Sequence, residues 1–260
     1  MNHYIAVEGN DENNYLAVHC GTRHLGCRVA EYYQSRAIAA RDARKEEIAR
    51  YYSYQIAVER ELGHYDMIQS LIARRNEEIQ ALPENDLCYI DGQDMEDYLH
   101  DIDMLRRWSY LNHKTIAMCI GAAMGWSYTS KISSIHNYVD TANHMIRKGA
   151  IAAYEGELGI IPLNMRDGSL IVRGKSNENY LCSAPHGAGR IMSRSVARKS
   201  LALEDYEKQM DGIYTTSVCS ATIDEAPDAY KPAELIEQAI EDTVEIVEHI
   251  RPIYNFKAKG

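Results

Sequence analysis

Phenylalanine is nearly absent from this chain. There is one Phe against nineteen Tyr in 260 residues. A buried tyrosine needs a partner for its hydroxyl, so many rings are expected to be half-buried with a wet end. Paired cysteines are missing as well. Cys20, Cys27, Cys88, Cys119, Cys182 and Cys219 are scattered with no Cys-x-x-Cys spacing, and the expectation is reduced thiols in a cytoplasm. The N-terminus lacks the basic start and apolar run of a secretory signal. The longest apolar stretch, Thr115 to Trp126, falls short of the ~20 residues that span a bilayer. There is no excess of positive charge: 28 Lys and Arg face 38 Asp and Glu, for a net charge of −10. That argues against broad, non-specific binding to nucleic acid but leaves room for a local basic cleft. No repeat of solenoid period and no low-complexity linker stands out.

What is present reads as α+β, with helices in the middle and strands at both ends. Met1 to Glu8 and Tyr15 to His19 alternate as two strands around a turn at Gly9 to Asn14, a hairpin pattern. Helical spacing is expected from Cys27 to about Leu62, from Tyr65 to Ala81 and from Met95 to Met124. The last of these has Tyr98, Ile102, Leu105, Trp108, Leu111 and Ile116 on a core-facing stripe. Asp86 to Ile90, Ile135 to Val139 and Ser169 to Gly174 read as strands, with a loop from Leu163 to Gly168. Helices are expected over Val196 to Met210 and Pro232 to Ile250.

The stretch from Asn179 to Arg194 concentrates chemistry: Ser183-Ala184-Pro185-His186-Gly187-Ala188-Gly189-Arg190, then Arg194. Glycines let backbone N–H groups approach an anion. Arginines supply planar forks suited to phosphate. A histidine there can attack phosphorus or pass a proton. On the short pattern alone, a surface turn capped by a histidine is the simpler reading. Likewise His3, His19 and His136 are each, taken singly, ordinary structural histidines.

The full stretch resembles the signature of the RtcB family of RNA-splicing ligases. That family joins an RNA 3'-phosphate or 2',3'-cyclic phosphate to a 5'-hydroxyl using GTP and manganese. The resemblance implies that His186 is the catalytic nucleophile that carries GMP. Asn2-His3, the loop His19-Cys20-Gly21-Thr22-Arg23 and the pair His136-Asn137 are similar to the segments whose histidines bind manganese, so His3, His19 and His136 are the implied metal ligands. Asn2 inherits a contact to the nucleotide phosphate. Arg147-Lys148-Gly149-Ala150 looks like a further family segment. Pro162-Leu163-Asn164-Met165 resembles a GMP-contacting loop, with Leu163 and Asn164 in place of Gly and Ser. Ser169, Gly187, Ala188, Gly189 and the tyrosine of Asp224-Glu225-Ala226-Pro227-Asp228-Ala229-Tyr230-Lys231 are the other implied nucleotide contacts. Arg251-Pro252 puts Lys257 where the family's terminal lysine reads guanine, with Lys259 a nearby alternative.

The resemblance therefore implies an RtcB-like α+β fold over residues 1–260, with mixed sheets, flanking helices and a helical insertion. It also implies RNA ends, in tRNA splicing or RNA repair, as substrates. Two departures stand out. A family glutamate that contacts guanine falls on Ala6, with Glu8 two residues on. The family's upstream Asp-x-x-Cys segment, whose thiolate bridges two manganese ions, has no counterpart before Met1. The expectation is an RNA ligase of this kind, with the upstream part a separate polypeptide, lost, or cut from this sequence; the alternative is a non-catalytic or split RtcB-like module needing a complementary N-terminal chain.

Overall fold

A computed structural model describes residues 3–257. Asn2 and Lys259 lie outside the described residues. The chain divides into two units, one made of residues 1–21 and 107–260, the other of residues 22–106. Helix α3 (Gly92–Met124) begins in the second and ends in the first.

The second unit is helical: α1 (Arg23–Glu61), α2 (Tyr65–Gln80) and the start of α3. The end of α1 is set locally. Gly63 takes φ +79°, and the Gly63 and His64 amides donate to the carbonyls of Arg60 and Glu59. This is the left-handed cap that satisfies a helix's last acceptors, and glycine adopts it without strain. The expected tyrosine packing is present here. Tyr33 and Tyr52 are buried while their hydroxyls donate to Asp101 and Glu78. The expected stripe on α3 is only partly inward. Leu105 is buried, but Trp108 and Leu111 are exposed. Among the described residues no helix is long and apolar enough to cross a membrane.

The first unit holds the sheet. Strands β1 (Tyr4–Gly9) and β2 (Asn14–His19) form the expected hairpin, with Tyr4 opposite His19. Its turn is an Asn turn: Asn10 Oδ1 accepts from the amides of Glu12 and Asn13. Two two-stranded pieces stand apart from the main sheet: β3 (Tyr138–Asp140) with β4 (Met145–Arg147), and β5 (Ala150–Ala152) with β8 (Ser183–Pro185). The main sheet runs β2-β1-β10-β7-β6, where β6 is Leu158–Asn164, β7 is Gly168–Gly174 and β10 is Val244–Lys257. A short β9 (Tyr214–Thr215) pairs parallel to β10. Ile161, Leu163, Leu170 and Val172 bury one face against Ile236 and Ile240 of helix α6 (Ala233–Ile240).

Three expectations fail. The strand over Asp86 to Ile90 is a single 3-10 turn, Asn85–Leu87, with no pairing. The helix over Val196 to Met210 is two, α4 (Arg194–Ser200) and α5 (Leu203–Gln209). Leu201 is extended at ψ 140°, and Leu201 and Leu203 pack on the cluster of Met165, Tyr206 and Ile223. The helix over Pro232 to Ile250 stops at Ile240. The next segment is β10, which pairs with β1 through its second half and with β7 through its first. Its Val and Ile spacing fits both periods, and the two waiting strand edges decide.

Close approach of β7 to β10 makes a testable point. Gly168 has φ +78°, and an added Cβ would lie 2.0 Å from the Ile250 carbonyl oxygen. Gly212 has φ +81° with open space around it. Gly168→Ala should lower stability by at least about 2 kcal/mol and Gly212→Ala by about 1 kcal/mol. The measurement is the urea midpoint at constant slope.

Candidate nucleotide and metal site

One cavity of about 480 Å³ gathers nearly all the candidates. Its wall includes His19, His136, Pro162, Asn164, Ser169, His186, Gly187, Ala188, Gly189, Tyr230 and Lys257. A volume of this size suits a small-molecule ligand. His3 is absent from the wall but lies close enough to His19 to influence its charge.

The histidines form a chain of rings. Tyr4 stacks on His19 with centroids 5.0 Å apart, His19 lies 5.3 Å from His136, and His136 lies 4.5 Å from His186. Burial, together with the neighbouring positive groups, pushes the His19 pKa down to about 3 and that of His136 downward. Both rings are therefore neutral, with lone pairs available to a cation. Nδ1 of His136 is buried without a hydrogen-bond partner. Neutral imidazoles suit manganese or zinc in kind. Among the described residues, no three His, Cys, Asp or Glu side chains are already closed on a common point.

His186 is held by the segment after β4. Gly149, at φ +71°, turns its carbonyl to accept from His186 Nδ1 at 2.7 Å. The Gly149 amide donates to Asn137 Oδ1, which ties the turn to the residue beside His136. A carbonyl only accepts, so in the neutral ring the proton sits on Nδ1 and the lone pair on Nε2.

The glycine loop is used differently from the simplest expectation. The Ala188 amide donates to the Pro162 carbonyl and Ala188 is buried, so that amide closes the loop onto β6. Gly187 packs close to the same carbonyl, and Gly189 has φ +70°. Asn164 is also engaged: its Oδ1 accepts from the amides of Arg166 and Asp167, and its Nδ2 donates to Asp167. Its side chain thus shapes the β6–β7 turn.

The opposite wall is organised by a residue to which sequence reasoning gave no role. Glu225 is buried. It accepts from Tyr230 at 2.7 Å and pairs with Lys257 at 3.2 Å, Arg190 at 3.3 Å and Arg194 at 3.8 Å. Its neighbour Asp224, also buried, pairs with Arg194 and Arg198. In sequence an Asp-Glu pair before Ala-Pro looks like any solvated acidic turn, so the signal was weak. Lys257 also lies 4.7 Å over the Tyr4 ring. Burial lowers its pKa, opposed by Glu225 and Glu8.

Glu8 is the other surprise. Tyr4, Ala6 and Glu8 share one face of β1 by strand alternation. Ala6 is buried and absent from the cavity wall, while Glu8 lines it. Burial pushes the Glu8 carboxyl up to about 7, partly offset by the Ser169 hydroxyl and the Lys257 charge.

Two outcomes follow. Glu225→Ala leaves Lys257, Arg190 and Arg194, all partly buried, without their counter-charge and should cost about 3 kcal/mol in urea unfolding. For Glu8, the folded form holds its proton more tightly than the unfolded chain. Its contribution to stability is therefore full below pH 4.5 and is lost as pH rises through 7. Glu8→Gln removes that loss. The variant should match the parent at pH 4 and exceed it by up to about 3 kcal/mol at pH 8, measured by urea unfolding at both values.

The family described as tRNA-splicing ligase RtcB matches residues 3–258. RNA-splicing ligase RtcB of Escherichia coli K12 is 34% identical over 197 residues, which cover 68% of this chain and 48% of that protein. RNA-splicing ligase RtcB1 of E. coli ATCC 25922 is 32% identical over 196 residues, with the same coverage. The tRNA-splicing ligase RtcB of Aeropyrum pernix is 30% identical over 140 residues, 46% of this chain and 29% of that protein. The chain spans about half the length of the E. coli relatives. With the match running through both ends of the sheet and through the His186 loop, this chain belongs to the RtcB family.

Proposed function

We propose that the chain is the nucleotidyl-transfer part of an RNA ligase, and that His186 carries GMP. The observation that supports this best is the 2.7 Å bond from His186 Nδ1 to the Gly149 carbonyl. It leaves Nε2 as the nucleophilic atom in a cavity walled by cations.

In the first step, the Nε2 lone pair forms a bond to the α-phosphorus of GTP, and the bond to the β-phosphate oxygen breaks with loss of pyrophosphate. An oxygen of the RNA 3'-phosphate then attacks the same phosphorus. The P–N bond breaks, the pair returns to Nε2, and the RNA end carries a pyrophosphate link to guanosine. Finally the RNA 5'-hydroxyl attacks the RNA phosphorus, its proton is released, and GMP leaves. A 2',3'-cyclic end must first be opened by water. Arg190, Arg194 and Lys257 offset phosphate charge, and Glu225 holds them in place, so positioning and electrostatics carry most of the acceleration. His3, His19 and His136 would hold manganese, with oxygen donors from the nucleotide phosphates completing the set. When bound, the metal supplies further charge neutralisation at the transferring phosphate.

Incubation with α-labelled GTP and manganese should leave label on the parent chain, stable in base and released in acid as a P–N bond requires. His186→Ala should reduce it at least about 100-fold. Label that survives the substitution removes His186 from the role. A parallel arm adds a fragment bearing the family's Asp-x-x-Cys segment. Labelling seen only with that fragment supports a ligase split between two chains.

A further inference from the structure

Arg147 and Asp140 form a buried ion pair to which the proposed chemistry gives no role. They are 3% and 6% exposed, and Arg147 Nη1 lies 3.0 Å from Asp140 Oδ2. Replacing such a pair by apolar residues of similar volume is often neutral or stabilising, so stability alone does not explain it. Arg147 uses the rest of its fork as well. Nη1 donates to the Tyr138 hydroxyl at 3.1 Å, Nη2 to that of Tyr154 at 3.2 Å, and Nε to Ser183 Oγ at 3.0 Å. Asp140 is fixed in turn by the amide and side chain of Asn143. These partners belong to two sheets that share no strand. Tyr138 and Asp140 lie on β3, Ser183 lies on β8, and Tyr154 follows β5. His136 stands just before β3 and His186 just after β8, with ring centroids 4.5 Å apart. The separation of the rings therefore depends on how one small sheet is held against the other.

We propose that Arg147 is a positioning residue for His186: paired with Asp140 on β3 and bonded to Ser183 on β8, it sets the spacing of the two sheets and so the place of the His186 ring. The inference rests on His186 carrying GMP as proposed above. Ser183 is three residues before His186, and Gly149, whose carbonyl accepts from His186 Nδ1, is two residues after Arg147. A shift at Arg147 thus reaches the ring from both sides. A guanidinium suits this role because its donors are fixed relative to one another in one plane. A lysine is a single point charge that keeps Asp140 and gives up the other ties. Misplacing a reacting atom by about 1 Å costs up to about 100-fold in rate.

The experiment follows the rate of labelling of the full chain by α-labelled GTP with manganese, over a range of GTP concentrations. The tautomer of the His186 ring is read by nitrogen NMR in the nucleotide-free chain, and a urea midpoint confirms that each variant is folded. Ser183→Ala removes the tie to β8 and should lower the maximal rate about tenfold, with half-saturating GTP within about twofold of the parent. Arg147→Lys should lower it by about thirtyfold, and the double variant should be no slower than Arg147→Lys by more than about threefold, because both changes break one tie. Tyr154→Phe also removes one bond to Arg147 but leaves the tie to β8, and its rate should stay within about threefold of the parent. In the parent the proton sits on Nδ1; in Ser183→Ala a share moves to Nε2. Folded Ser183→Ala that labels as fast as Tyr154→Phe, or single effects that multiply in the double variant, overturns the inference. If Arg147→Lys does not fold, the comparison of Ser183→Ala with Tyr154→Phe decides. If the parent takes no label, the reading of His186 as GMP carrier fails, and the NMR arm decides separately: a tautomer unchanged in Ser183→Ala overturns the positioning role, and a mixed one upholds it.

Discussion

A single buried carboxylate holds the cationic side of the cavity together. Glu225 gathers Lys257 from the end of β10, Tyr230 from the segment before α6, and Arg190 and Arg194 from the loop after His186. Without a shared counter-charge these groups would repel one another, and their burial would be unfavourable. With it, a protein of net charge −10 keeps a dense cluster of positive groups at one site. The overall acidity and the local basicity are therefore compatible, because the second depends on how a few acidic residues are buried rather than on how many there are.

The other side of the cavity follows an opposite rule. Charge is disfavoured on two of the histidine rings, His19 and His136. Each imidazole sits against another, and burial makes protonation unfavourable for His19 and His136. Neutral rings with lone pairs face a wall of fixed positive charge, and His186 stands between them with its proton held at Nδ1 by Gly149. An anionic ligand would meet cations on one side and an unprotonated nitrogen on the other. Nucleophilic attack on phosphorus needs that combination.

The motifs around this site were readable in the chain because their chemistry is local. The hairpin that places His19 beside Tyr4 follows from alternation and an Asn turn. The glycine at position 149 can adopt the backbone that aims its carbonyl at His186, and the His-Gly-Ala-Gly loop announces itself by composition. Most of the misreadings were of long range. Pro232 to Ile250 has apolar spacing that suits a helix, yet β1 and β7 each offer an edge that only a strand can pair. Val196 to Met210 would continue as one helix but for the packing of Leu201 and Leu203. The Ala188 amide looked free for an anion and is instead bonded to Pro162, which lies 26 positions away in sequence.

Sequence by itself determined the family, the α+β class and which histidine, glycine and lysine positions to watch, since these depend on residue type and spacing alone. Only the tertiary structure decided that Glu225 is a buried hub rather than part of a solvated turn, and that Glu8 rather than Ala6 reaches the cavity. The reason is that burial and charge pairing arise where distant strands meet. A carboxylate's solvation, and with it its function, is a property of what surrounds it in space and not of its neighbours along the chain.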